Sequence, residues 1–177
     1  MKEIRLLDQL LLKTLIYLFE KWYKPEVGIV ACALKDGDNI VFATSTRNGN
    51  NWLHAERNAY EKFKSTYEIS PSKNAFFVIT LSPCITSLKY RNEASCSDLI
   101  RTLGIERVHF GVLDSMYVET IATYSKFGLT ATLTKNQDIQ RMCSKLMDMF
   151  SIYDSRINYE LLTIKAELGN DFFSPIL

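Results

Sequence analysis

His54-Ala55-Glu56, Pro83-Cys84 and Cys96 are the residues of this 177-residue chain whose types and order could do chemistry together. One imidazole and two thiolates can hold Zn²⁺ and leave its fourth position open for water, the arrangement a catalytic zinc site requires. Glu56, two residues from the imidazole, is placed to shuttle that water's proton. Each residue alone has an ordinary structural explanation. A histidine beside apolar residues is commonly a satisfied core or surface residue, a first-turn glutamate complements the helix dipole, and a cysteine after a buried strand packs as a small hydrophobe. The combination is what points to chemistry.

The proposed ligands lie 12 to 42 residues apart, so the fold has to bring them together. Apolar spacing predicts a helix over about 4–22, ended by Pro25. Residues 27–34 (VGIVACAL) and 39–45 (NIVFATS) flank Lys35-Asp36-Gly37-Asp38 and predict a hairpin. A loop rich in Asn and Gly follows at 47–51, then a helix over about 54–66. Strands are predicted over 75–81, 107–113 and 129–134, alternating with helices over 96–103 and 116–127. Two more helices are predicted near 136–152 and 155–168. Alternation of this kind favours parallel strands joined by crossover helices, with active sites at the strands' carboxyl ends. On that rim the starts of the 54–66 and 96–103 helices would meet the end of strand 75–81. Helix N-termini also favour ionised thiolates there.

With 47% apolar and 23% charged residues, the composition is that of an ordinary globular chain, and one domain spanning 1–177 is expected. The net charge of +1 supplies no global basic field for nucleic acid, although a local patch stays open. Of the four cysteines, Cys32 and Cys143 fall in apolar patterns and are expected as buried thiols, which leaves Cys84 and Cys96 to explain. A reducing cytoplasm suits that set. Asp8, Lys13 and Glu20 interrupt the apolar N-terminus, so no run approaches the roughly 20 residues that span a bilayer. The N-terminus also lacks the plan of a secretory signal. A core-packing helix of a cytoplasmic protein is expected, with no membrane partner.

"HAERNAY" (54–60), "TLSPC" (80–84) and "CSDLIRTLGIERVHFGVLD" (96–114) resemble the zinc-dependent cytidine and deoxycytidylate deaminase superfamily, which includes tRNA adenosine deaminases and riboflavin-pathway deaminases. The resemblance covers about residues 27–134. It implies a three-layer α/β/α cytidine-deaminase-like fold, with a mixed five-stranded sheet, crossover helices and extra N- and C-terminal helices. It implies hydrolytic deamination of an amino-bearing nucleobase, cytosine or adenine type, in a nucleotide or nucleic acid. His54, Cys84 and Cys96 would hold Zn²⁺, whose bound water has its pKa lowered from about 16 towards 7. Glu56 would take that water's proton and return it to the ring nitrogen and then to the leaving ammonia. One departure stands out. The family's usual third ligand, three positions after the first Cys, would fall at Ser87, and Cys96 lies twelve positions on. Riboflavin-pathway deaminases also lengthen this loop before a Cys that starts the helix, which favours Cys96. In the alternative, a structural serine–cysteine exchange, Cys96 faces away and two protein ligands remain.

The same resemblance implies that Asn48 contacts sugar or base, and that the Ala55 backbone N–H contacts the base. A turn Asn beside Gly49 is the competing explanation for the former. Asp114 is expected to brace a loop, His109 to be a packed core histidine, and Trp52 either to stack on a base or to form a hydrophobic lid or dimer contact. Lys89, Tyr90 and Arg91 in the long loop could touch phosphate or a flanking base, or be solvated. A parallel pairing of the last two strands would place the chain with the tRNA adenosine, deoxycytidylate and riboflavin-pathway branch. A homo-oligomer, most simply a dimer, is implied. Two alternatives to an active enzyme are a zinc-bearing inactive partner subunit, which a replaced Glu would favour, and a nucleic-acid-binding module, which a basic stripe would favour.

Overall fold

The computed structural model describes residues 2–21, 24, 26–48, 51–86, 94–114 and 120–152. Strands β1 (Val27–Asp36) and β2 (Asn39–Asn48) form the expected antiparallel hairpin. Gly37 turns it with a φ of +57°, a conformation that costs a side-chain-bearing residue more than glycine. The remaining strands are β3 (Asn51–Leu53), β4 (Phe76–Leu81), β5 (Arg107–Val112) and β6 (Thr130–Leu133). They lie in the order β3-β2-β1-β4-β5-β6. β1 runs antiparallel to β4, whereas β4, β5 and β6 are mutually parallel, as the alternation predicts.

The expected five-stranded mixed sheet is thus present, with one short strand added. β3 lies partly in the Asn- and Gly-rich stretch expected as loop, and it pairs back onto the end of β2 from Thr46↔Leu53 to Asn48↔Asn51. Three residues are too few for a period-two pattern, so only the partner's ladder reveals the strand. The rest of the β2 edge is closed by helix α2 (Ala55–Tyr67). Asn58 Nδ2 donates to Thr44 O, Lys62 Nζ donates to Phe42 O, and the Tyr67 hydroxyl bonds both Ile40 N and Ile40 O. Side chains that occupy edge groups block pairing with another chain.

Helices cover both faces. α2, α3 (Cys96–Thr102) and α4 (Ala122–Ser125) lie on one, over Cys32, Leu34, Phe63, Phe77, Ile79, Ile100 and Phe110. α1 (Lys2–Lys21) and α5 (Gln137–Ile152) lie on the other, over Leu11, Leu15, Leu18, Ala33, Val78 and Cys143. β1 is buried on both faces, which is why it reads as a continuous apolar run. Cys32 and Cys143 are buried free thiols, as expected. Gly111 lets α5 approach β5, because a Cβ there would sit 2.2 Å from the Cys143 sulfur.

Of the helix predicted over 116–127, residues 116–119 lie outside the described residues. Among the described residues only 122–125 are helical, and the surrounding bonds span three residues, Thr123 N to Thr120 O and Tyr124 N to Ile121 O. The helix predicted near 155–168 lies outside the described residues. No described helix is long and apolar enough to cross a membrane.

Candidate metal centre

β4 ends at Leu81, and the chain leaves the sheet through Ser82-Pro83-Cys84. Each residue of this turn is tied down. Ser82 N donates to Val112 O at 2.9 Å, and Asp114 N donates to Ser82 Oγ at 2.8 Å. The Tyr124 hydroxyl donates to Pro83 O at 2.8 Å, and Ser97 N donates to Cys84 O at 3.0 Å. Cys84 therefore arrives at the rim on a constrained backbone.

Cys96 begins α3, whose N-cap Ser95 accepts from Asp98 N at 3.1 Å and donates to Asp98 Oδ2 at 2.8 Å. The Cys96 N–H points at Cys84 Sγ across 3.2 Å, so the helix start meets the sulfur with an unpaired donor. Arg57 NH2 bonds Ala94 O and anchors the approach to this helix. His54 is the N-cap of α2, but its imidazole makes no capping bond. Its Nδ1 faces the sulfurs instead, 3.7 Å from Cys84 Sγ and 3.4 Å from Cys96 Sγ. The three ligand atoms all lie within 4.8 Å of one another.

These spacings fit one metal ion. Zn–S bonds near 2.3 Å and Zn–N bonds near 2.1 Å at a tetrahedral angle put N and S about 3.6 Å apart. The observed 3.7 and 3.4 Å bracket that value. The donor set is also right, since thiolate and imidazole select zinc over the oxygen-loving cations. A histidine and two cysteines leave one tetrahedral position uncommitted.

Charge is concentrated here. The Cys84 thiol is pulled down, first by its hydrogen bond with Cys96, while the Cys96 thiol is pushed up by the same bond and by burial. His54 is raised chiefly by its bond with Cys84, against burial. Glu56, only 3% exposed in the first turn of α2, has its carboxyl raised by burial against the pull of His54. Carboxyls that move protons in catalysis are commonly shifted upward in this way.

The structure thus brings together His54, Glu56, Cys84 and Cys96. Cys96 faces the other two ligands rather than away, and Ser87 lies outside the described residues. Ala55 is the buried first residue of α2. Asn48 ends β2, but its side chain and those of Trp52, Lys89, Tyr90 and Arg91 lie outside what is described. Asp114 meets the ligand turn through its backbone N–H, which donates to Ser82 Oγ. His109 is buried on the opposite face of the sheet and is bonded there to Asp8. Sequence reasoning missed Ser82, Ser95 and Tyr124. Ser95 carried a signal, the Ser-x-x-Asp spacing of a helix N-terminus. Tyr124 carried none, because its partner is 41 residues away.

The family model for the cytidine and deoxycytidylate deaminase zinc-binding region matches residues 7–112. No curated protein matches the chain. Among solved structures it is similar to a diaminohydroxyphosphoribosylaminopyrimidine deaminase/5-amino-6-(5-phosphoribosylamino)uracil reductase from Thermotoga maritima. That match has a TM-score of 0.60 and 23% identity, over 80% of this chain and 40% of that one. It is similar to RibD from Acinetobacter baumannii, TM-score 0.57, 15% identity, over 81% of this chain and 38% of that one. It is also similar to a guanine deaminase from Nitrosomonas europaea, TM-score 0.53, 13% identity, over 77% of this chain and 80% of that one. The chain spans about two fifths of the length of the first two. At these identities the likeness is one of fold.

Proposed function

The chain belongs to the family of proteins carrying the cytidine and deoxycytidylate deaminase zinc-binding region, and on that footing we propose that it is a hydrolytic deaminase of an amino-bearing nucleobase. The observation that carries this reading is the meeting of His54, Cys84 and Cys96 at zinc spacing with a buried carboxylate, Glu56, in the same helix turn. His54, Cys84 and Cys96 would hold zinc, which would supply a Lewis acid and lower the pKa of a bound water towards neutrality. Glu56 would accept that water's proton and deliver it to the ring nitrogen and then to the departing ammonia. Its burial keeps bulk water from competing for that proton. On this reading the Ala55 N–H, in the first turn of α2, contacts the base, and Asn48, at the end of β2, contacts the sugar or base.

The parallel pairing of β5 with β6 supports the branch that holds tRNA adenosine, deoxycytidylate and riboflavin-pathway deaminases. The substrate would then be a cytosine- or adenine-type base in a free nucleotide or a nucleic acid. We place the enzyme in the cytoplasm as a homodimer, a single deaminase domain over 1–177.

The test is zinc content together with ammonia release from cytidine, deoxycytidylate, adenosine, single-stranded DNA and tRNA. Glu56→Gln is expected to keep its zinc and lose about 10²- to 10⁴-fold in turnover. Undiminished ammonia release from that variant would remove Glu56 from the mechanism. A zinc-loaded wild type inert on every substrate would point to a partner subunit instead.

A further inference from the structure

We propose that Tyr124 is a positioning residue of the metal centre, aiming the Cys84 sulfur by holding the carbonyl of Pro83. The inference rests on the zinc site described above and extends it to a residue outside the ligand set. Tyr124 lies in α4, fully buried, its ring tilted against Phe110 at a centroid distance of 5.6 Å. The hydroxyl reaches across the core to Pro83 O at 2.8 Å.

That carbonyl belongs to the peptide plane that carries the Cys84 nitrogen. A peptide plane turns as a unit, so orienting the carbonyl orients the bond leading into the Cys84 Cα. The plane after Cys84 is held separately, by Ser97 N on Cys84 O at 3.0 Å, and the sulfur itself receives the Cys96 N–H at 3.2 Å. Both of those anchors come from α3. Tyr124 supplies the anchor on the other side, from a different element. Ser97 Oγ also approaches Pro83 O, but at 3.5 Å it is the weaker donor. The preceding plane, between Ser82 and Pro83, has no N–H through which it could be tied. The Tyr124 hydroxyl is therefore the strong tether on the peptide that enters the ligand. Through it, the docking of α4 onto the sheet is coupled to the geometry of the metal site.

Full-length Tyr124→Phe keeps the ring against Phe110 and removes the tether. Partners that orient metal ligands typically contribute 10- to 100-fold in metal affinity, and a loss in that range is expected when zinc is titrated against a competing chelator. In the cobalt-substituted protein the thiolate-to-metal and ligand-field bands should shift. Ile139→Val, a buried change on the opposite face of the sheet, controls for general destabilisation. It should lower the melting temperature and leave the bands alone. If Tyr124→Phe does not fold, 3-fluorotyrosine placed at 124 by codon suppression keeps ring and hydroxyl but strengthens the donor. The cobalt bands should then move. Unchanged affinity and bands in Tyr124→Phe, or unmoved bands with fluorotyrosine, would overturn the role of Tyr124 alone. A wild type that takes up neither metal would overturn the zinc site and this inference together.

Discussion

A sulfur is a good metal ligand only when it is ionised and aimed. Cys84 accepts the Cys96 N–H, which aims it, and its thiol is pulled down first by the hydrogen bond with Cys96. Zinc held there would take both sulfurs as thiolates, so its binding would release protons. The twelve-residue gap between the cysteines departs from the usual spacing of three, and the N-cap bonds of Ser95 are what place Cys96 at the rim despite the gap. Cys96→Ala should therefore purify with well under one zinc per chain, measured by elemental analysis, while Ser87→Ala retains a full complement. Full zinc in the first variant would move the third ligand elsewhere.

Among the elements, α1 is tied to the sheet by more than apolar packing. His109 in β5, 1% exposed, bonds Asp8 of α1 through Nε2 at 3.0 Å and Thr132 of β6 through Nδ1 at 2.8 Å. Thr134 Oγ1 donates to the same Asp8 oxygen at 2.6 Å. Burial lowers the His109 pKa, although the bond to Asp8 opposes this. In the unfolded chain the imidazole regains its ordinary value near 6.5 and binds a proton that the folded state resists. More protons are then bound by the unfolded state, so stability is complete above about 6.5 and declines as the pH falls through that value. Urea midpoints of the zinc-loaded protein at pH 7.5 and 5.5 should diverge more for wild type than for His109→Gln. Equal divergence would exclude His109 as a source of acid sensitivity.

At the scale of the whole molecule, a metal held by His54, Cys84 and Cys96 would join the start of α2, the turn after β4 and the start of α3, all on one face of the sheet. Anything that binds the folded state alone stabilises it by mass action, about 4 kcal/mol at a thousand-fold excess over Kd. For a chain of this length each kcal/mol shifts the melting temperature by about 2–4 °C. Chelation is accordingly expected to lower the midpoint in calorimetry by about 8–16 °C, and zinc, added back, to restore it. A midpoint indifferent to chelation would mean that the ion is not linked to folding of this face.

Much of this protein could be read along the chain, and for a local reason. Imidazole, carboxylate and thiolate at rim positions are required by the chemistry wherever the site occurs, and apolar runs such as 27–34 and 75–81 report burial that each strand experiences throughout its length. The alternation of helix and strand after the hairpin likewise implied the parallel pairing of β4, β5 and β6. Other features left no trace in any window of residues. β3 exists because β2 offers it a ladder, and Cys96 meets His54 only once α2 and α3 share a rim. The bonds of Tyr124 to Pro83 and of His109 to Asp8 join residues 41 and 101 positions apart. Contacts of that range depend on strand order and helix docking, which arise when the layers pack, so no local pattern can encode them.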